Sequence, residues 1–139
     1  MMALIDTNVV VASFLVRRSD SPVSRVVRGM IEGRFHYLLS VELLSEYRSV
    51  LLRSPIRQRH ALAGEDVDLL LEEIAFLGIV RELNSSCQSA PDTEDNHLWH
   101  LLKAQPGSLL VTGDHKLLGS PPSFASVFSP AAFCERMGF

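Results

Sequence analysis

Carboxylates are the side chains in this sequence whose placement could support chemistry, and they gather at four separate places. The apolar pair Leu4-Ile5 runs into Asp6, and Leu109-Leu110-Val111-Thr112-Gly113 runs into Asp114. Between these lie Glu42 and Glu46, four residues apart, and the tight group Asp92, Glu94 and Asp95. Hard divalent cations such as Mg2+ take oxygen ligands and keep several waters, so a few carboxylates from scattered segments suffice to hold one. Two such ions can activate a water and stabilise the leaving oxygen as a phosphodiester is hydrolysed.

Each acid also has a plainer role open to it. An Asp that follows an apolar strand can cap the next helix by accepting from its free N–H groups. Asp6 and Asp114 share that feature, however, and parallel strands would put both at one edge of a sheet. Glu42 and Glu46 fall on one helical face, where like charges repel, so either a cation lies between them or both point to water. Glu46 stands beside Leu43, Tyr47 and Val50 at the boundary of the apolar stripe, with Glu42 one turn nearer the rim. Asp92 reads as a helix cap with Asp95 completing something like a capping box, yet three acids there exceed what capping requires.

Other chemistries find less support. His97 and His100 are three residues apart with no H-x-x-x-H pair or nearby Cys, which argues against zinc. Neither common glycine-rich phosphate loop is present, nor a G-x-S-x-G nucleophile elbow. Cys87 and Cys134 form no C-x-x-C or Cys/His cluster and read as reduced, partly buried thiols.

The elements that must position the acids alternate between strand and helix. Leu4-Ile5 is the core of a first strand, and Val9 to Leu15 suits either a buried helix opening or a strand that continues. Ser21-Pro22 starts a helix that runs to about Glu32 and is ended by Gly33. Phe35 to Leu39 is a second strand; Ser40 then caps a helix from Val41 to about Arg53, which Pro55 breaks, with a short helix to His60. Gly64 to about Leu77 is amphipathic, a strand follows near Val80–Leu83, and a polar loop runs from Ser85 to Pro91. Asp92 begins a helix that ends before Pro106-Gly107, Ser108 to Thr112 is a strand, and Asp114 opens a short helical turn. Ser126-Val127-Phe128 is the last strand, and Ser129-Pro130 caps a terminal helix. This alternation predicts an α/β fold with a parallel sheet covered on both faces, and in such sheets ligands bind outside the carboxyl ends of the strands.

With 139 residues, 47% hydrophobic and 21% charged, the chain suits one globular domain that needs no disulfide. No apolar stretch approaches the roughly 20 residues of a membrane span, and Met1 to Asp6 lacks the basic start of a signal peptide, so a soluble, cytoplasmic protein is expected. A net charge of −3 does not announce nucleic-acid binding, unless the acids collect where metal ions offset them.

Four segments together resemble a known family. Leu4-Ile5-Asp6-Thr7-Asn8-Val9-Val10-Val11 is similar to the opening of PIN domains. Ser40 to Leu51, Asp92 to Leu98, and Val111-Thr112-Gly113-Asp114-His115-Lys116-Leu117-Leu118 are similar to their later acidic segments, in the same order. The resemblance implies a Rossmann-like three-layer α/β/α sandwich with a central parallel sheet, and an Mg2+- or Mn2+-dependent ribonuclease. It implies an acidic quartet of Asp6, Glu46, Asp95 and Asp114, with Asn8, Thr112 and Asp92 supporting it. The subgroup it most resembles comprises toxins of bacterial toxin–antitoxin pairs, which implies RNA as substrate, a cognate antitoxin and a homodimer. Asn96 stands where that pattern often has a further Asp, and His115 where Arg or Lys is frequent.

On this reading Asp6, Asp95 and Asp114 hold a metal ion, with Glu46 joining directly or through water. Asn8 or Thr112 fixes a carboxylate, and Arg17, Arg18, Arg48 or Lys116 is the candidate grip on substrate phosphates. The apolar residues of Val23–Met30 and Val67–Leu77 are the expected dimer surface. Two other readings compete: a binding module without catalysis, and a receiver or phosphatase, which would want paired acids at its first turn where Asp6 stands alone.

Overall fold

The computed structural model describes residues 1–81 and 96–139, with the backbone alone for Asn96. Five parallel strands form one sheet in the order β3-β2-β1-β4-β5: β1 (Met2–Ile5), β2 (His36–Leu39), β3 (Ile79–Val80), β4 (Leu109–Val111) and β5 (Ser126–Phe128). Successive strand residues point to opposite faces, and Leu4 and Ile5, Leu38 and Leu39, and Leu110 and Val111 are all fully buried. Both faces of the sheet are therefore covered, which makes the three-layer α/β/α sandwich expected of the sequence. The order reverses direction at β1: the chain moves outward to β2 and β3, then returns to β4 on the other side.

Asp6 decides the ambiguous segment after β1. Its backbone is extended, with φ −65° and ψ 150°, and its side chain accepts from Thr7 N–H, so α1 (Thr7–Leu15) starts at once. The β-branched run Val9-Val10-Val11 costs a little helix propensity but is buried where α1 packs against α2 and α3. Burial of each such side chain contributes about 1.5–3 kcal/mol and outweighs that loss.

The serine caps form as expected. Ser21 Oγ accepts from Ser24 N–H to open α2 (Pro22–Ile31), and Ser40 Oγ accepts from Leu43 N–H to open α3 (Val41–Leu51). Gly33, at φ +68°, provides the left-handed turn beyond α2. Pro55 sits in the first turn of α4 (Ser54–His60), where its missing N–H costs nothing. Beyond lie α5 (Gly64–Leu77), α6 (Asn96–Ala104), α7 (His115–Gly119) and α8 (Pro130–Met137). The strand expected near Val80–Leu83 is found at Ile79–Val80, Arg81 is not part of it, and positions 82 and 83 lie outside the described residues.

Part of the apolar face of α2 that was expected at a dimer surface is covered within the chain. Val26 and Met30 are wholly buried because α2 packs against α1, α5 and α8. α5 divides instead: Val67, Leu71 and Ile74 enter the core, while Leu69 is 61% and Phe76 86% exposed. Among the described residues no helix is long and apolar enough to cross a membrane.

Candidate active site

Parallel pairing fixes the first contacts of the site. Ile5 pairs with Val111, so Asp6 and Thr112 leave adjacent strands side by side at the carboxyl edge of the sheet. Asp6 N–H donates to Val111 O at 2.9 Å, and Thr112 N–H to Phe128 O at 3.0 Å. This is the point where strand order reverses, and open α/β sheets bind ligands in the crevice there.

Asp6 is 6% exposed and held from three sides. Its Oδ1 accepts from Thr7 N–H at 2.8 Å; its Oδ2 accepts from Thr112 Oγ1 at 2.7 Å and Asn8 Nδ2 at 3.1 Å. A carboxylate oxygen offers about two lone-pair directions, so Oδ2 is filled and Oδ1 keeps one. Asn8 closes the ring, its Nδ2 donating to Thr112 Oγ1 and its Oδ1 accepting from Gly113 N–H at 2.9 Å. The Thr112 hydroxyl also accepts from Asp114 N–H at 3.0 Å, tying the two acids through one buried threonine. Burial raises the Asp6 pKa most; bonds from Thr112 and Thr7 oppose this, and the charges of Glu46 and Asp114 add to it.

Glu46 arrives from α3. The buried Tyr47 beside it donates its hydroxyl to Ile5 O, pinning α3 to the end of β1. Glu46 Oε2 accepts from Thr7 Oγ1 and stands 3.5 Å from His97 Nε2 on α6. The His97 hydrogen bond is the main reason the Glu46 pKa is lowered; the Thr7 bond and the positive charges of His97 and Arg53 act the same way, against desolvation. Asp114 follows β4, and its Oδ1 caps α7 by accepting from Lys116 N–H at 2.9 Å.

Asp6, Glu46 and Asp114 open onto one cleft of about 420 Å3, whose walls also include Asn8 and Arg53. Three of the four expected acids thus line one cleft, and the side chains of Asn8 and Thr112 both donate to Asp6. Asp95 and Asp92, with Glu94, lie outside the described residues. Glu42 is exposed and does not line the cleft. Arg48 is engaged elsewhere: its Nε lies 2.7 Å from Asp68 Oδ1 across α3 and α5, lining a different groove with Leu44 and Leu71. Arg18 pairs with Asp20 at 3.2 Å, while Arg17 and Lys116 are exposed.

Three contributors escape sequence reasoning: Thr7 and His97, which hold Glu46, and Arg53, which lines the cleft. Asp6 to Thr7 is legible as strand end and helix start, but a partner 39 residues away is not. Arg53 falls one turn past Ser49, where helical spacing from Glu46 through Val50 gave a signal that could have found it.

Among the described residues no three of His, Cys, Asp or Glu stand close enough to hold an ion by themselves. The donor chemistry nonetheless fits a hard divalent cation. Every anionic donor on the cleft is a carboxylate oxygen, Asp6 Oδ1 keeps a lone pair, and such ions retain waters in place of missing ligands.

No curated protein and no solved structure matches the chain. The sequence profile of the PIN domain does, over residues 2–116, and this span takes in every residue of the cleft. PIN domains are in general nucleases that use divalent metals. With the five-stranded parallel sheet and its edge of acids in agreement, the chain belongs to the PIN-domain family.

Proposed function

We propose that this protein is an Mg2+- or Mn2+-dependent endoribonuclease that hydrolyses RNA phosphodiester bonds, with Asp6, Glu46, Asp95 and Asp114 as its acidic set. One observation carries the reading: Asp6, Glu46 and Asp114, from three distant segments, line one cleft at the switch point of the sheet.

A divalent ion bound there would supply a water acidic enough to attack phosphorus and would offset charge on the phosphate. The protein's own part is orientation. Thr112, Asn8 and Thr7 fix the Asp6 carboxylate and leave a single lone pair on Oδ1 for the cleft. Thr7 and His97 occupy Glu46 Oε2, which leaves Oε1 to accept from a water or receive its proton. Asp114 spends Oδ1 on the cap of α7 and keeps Oδ2 for the cleft. Val11, Ala12 and Leu15 give the cleft an apolar wall on the α1 side.

The resemblance to toxins of toxin–antitoxin pairs supports a cellular RNA as substrate, a cognate antitoxin as partner and a cytoplasmic site of action. It also supports a homodimer, for which Leu69 and Phe76 of α5 are two exposed apolar side chains on one helix face. The nuclease reading is tested with purified protein and end-labelled RNA. Cleavage is expected with Mg2+ or Mn2+, none with EDTA, and none from Asp6→Asn. Cleavage that survives both chelation and that substitution sinks the reading.

A further inference from the structure

The cleft does not end at its acids. Its walls run along α1 from Asp6 through Val11 and Ala12 to Leu15, and along the other side from Glu46 through Val50 to Arg53. Arg53 lies two residues past the end of α3, with an extended backbone, and its positive charge is still felt at Glu46. The floor between the two charged ends is apolar, made by Ala12, Leu15 and Val50.

Arg53 is the residue before α4, and Arg57 N–H donates to Arg53 O at 2.7 Å, which sets Arg57 one turn further on. Ile56 and His60 turn inward, with the His60 ring edge-on to Phe14 at 5.9 Å, so α4 is seated on α1. At helical spacing Arg53 and Arg57 flank one side of that inward stripe, and Arg59 the other. Both Arg53 and Arg57 are exposed, and among the described residues neither side chain makes an ion pair or hydrogen bond. No acid occurs from Tyr47 to Gly64, although the whole chain is net negative. A lone surface arginine is ordinarily only solvated. Arg53 lines the cleft that carries the acids, and Arg57 stands one helical turn further along α4.

We propose that Arg53 and Arg57 bind backbone phosphates of single-stranded RNA one or two nucleotides from the scissile bond, the intervening ribose and base lying on Ala12, Leu15 and Val50. The assignment rests on the nuclease reading above. Guanidinium groups match phosphate with paired hydrogen bonds. An apolar floor is useful only to a base that has left its stack, which selects single strands over duplex.

The test is binding of a fluorescein-labelled oligouridylate, by anisotropy over a salt series, with Ca2+ as a hard cation in place of Mg2+. Each phosphate contact on a single strand contributes about 0.7 to the slope of log affinity against log salt. The double variant Arg53→Ala/Arg57→Ala should lower that slope by about 1.4, while Arg53→Lys/Arg57→Lys should keep it. Arg59→Ala should match wild type. The proposal is overturned by an unchanged slope in the double alanine variant, by an equal loss in Arg59→Ala, or by duplex RNA bound as tightly as single strands. Displacement of the RNA by equimolar polyglutamate also overturns it, in favour of an acidic protein partner. Cleavage measured on the same proteins separates the two ideas. Wild-type cleavage with an unchanged slope removes the arginines and leaves the nuclease; the predicted slopes without any cleavage do the reverse.

Discussion

Asp6 carries the electrostatic signature of the site. It is buried, it faces Glu46 and Asp114, and its pKa stands above the usual 3.8. In the metal-free protein its carboxyl signal, followed by carbon NMR, should therefore titrate above 3.8. Asp114→Asn removes one of the like charges and should move that titration down; no movement would mean that the two carboxylates do not share a cleft. The sign carries over to stability. A folded-state pKa above the unfolded one means that ionised Asp6 costs stability at neutral pH, a cost relieved as pH falls through the folded pKa towards 3.8. Glu46 has the opposite sign: its lowered pKa contributes stability above 4.5 that is lost as acid protonates it. The acids themselves were legible in the sequence, since each follows a strand or sits on a polar helix edge. Their keepers were not. Thr7 is an ordinary helix-opening residue, and His97 carries no spacing that names Glu46 as its partner. Arg48 was one of four candidates for the phosphate grip, but Asp68 on α5 takes it.

At the scale of elements, the site depends on how α3 is fastened to the end of β1. Tyr47 is fully buried and its hydroxyl donates to Ile5 O, one residue before Asp6. Tyr47→Phe keeps the ring volume and leaves a buried carbonyl without that donor, so it should cost about 1–3 kcal/mol in chemical denaturation. It should also loosen Glu46 and reduce activity more than the stability loss explains. A destabilisation under 0.5 kcal/mol, about the noise of surface changes, would contradict this account of the tether. Most elements follow from local signals: serine caps before α2, α3 and α8, glycine after α2, and unbroken apolar strands. α1 was ambiguous because three valines favour a strand, and only the Asp6 cap with burial against α2 and α3 resolves it as a helix. The apolar face of α2 read as surplus from the sequence because α8, which covers it, arrives 100 residues later.

For the whole molecule, net charge misleads: the chain is acidic overall, yet its acidic cleft also carries Arg53, with Arg57 one turn beyond. The outward face of α5 gives a test of assembly. Wild type should sediment as a dimer at tens of micromolar, and Leu69→Asp/Phe76→Asp as a folded monomer; a wild-type monomer at that concentration would refute the dimer. The central claim is that acids from distant segments form one divalent-metal site, and metal-linked thermal stability tests it without reference to any substrate. Mn2+ at a hundredfold excess over its Kd should stabilise the wild type by about 2.7 kcal/mol through RT ln(1 + [L]/Kd). Asp6→Asn, Asp95→Asn and Asp114→Asn, melted with and without Mn2+, should each lose most of that gain. An equal metal response in the wild type and all three variants would contradict the account, because acids that serve only as helix caps have no reason to be linked to an ion.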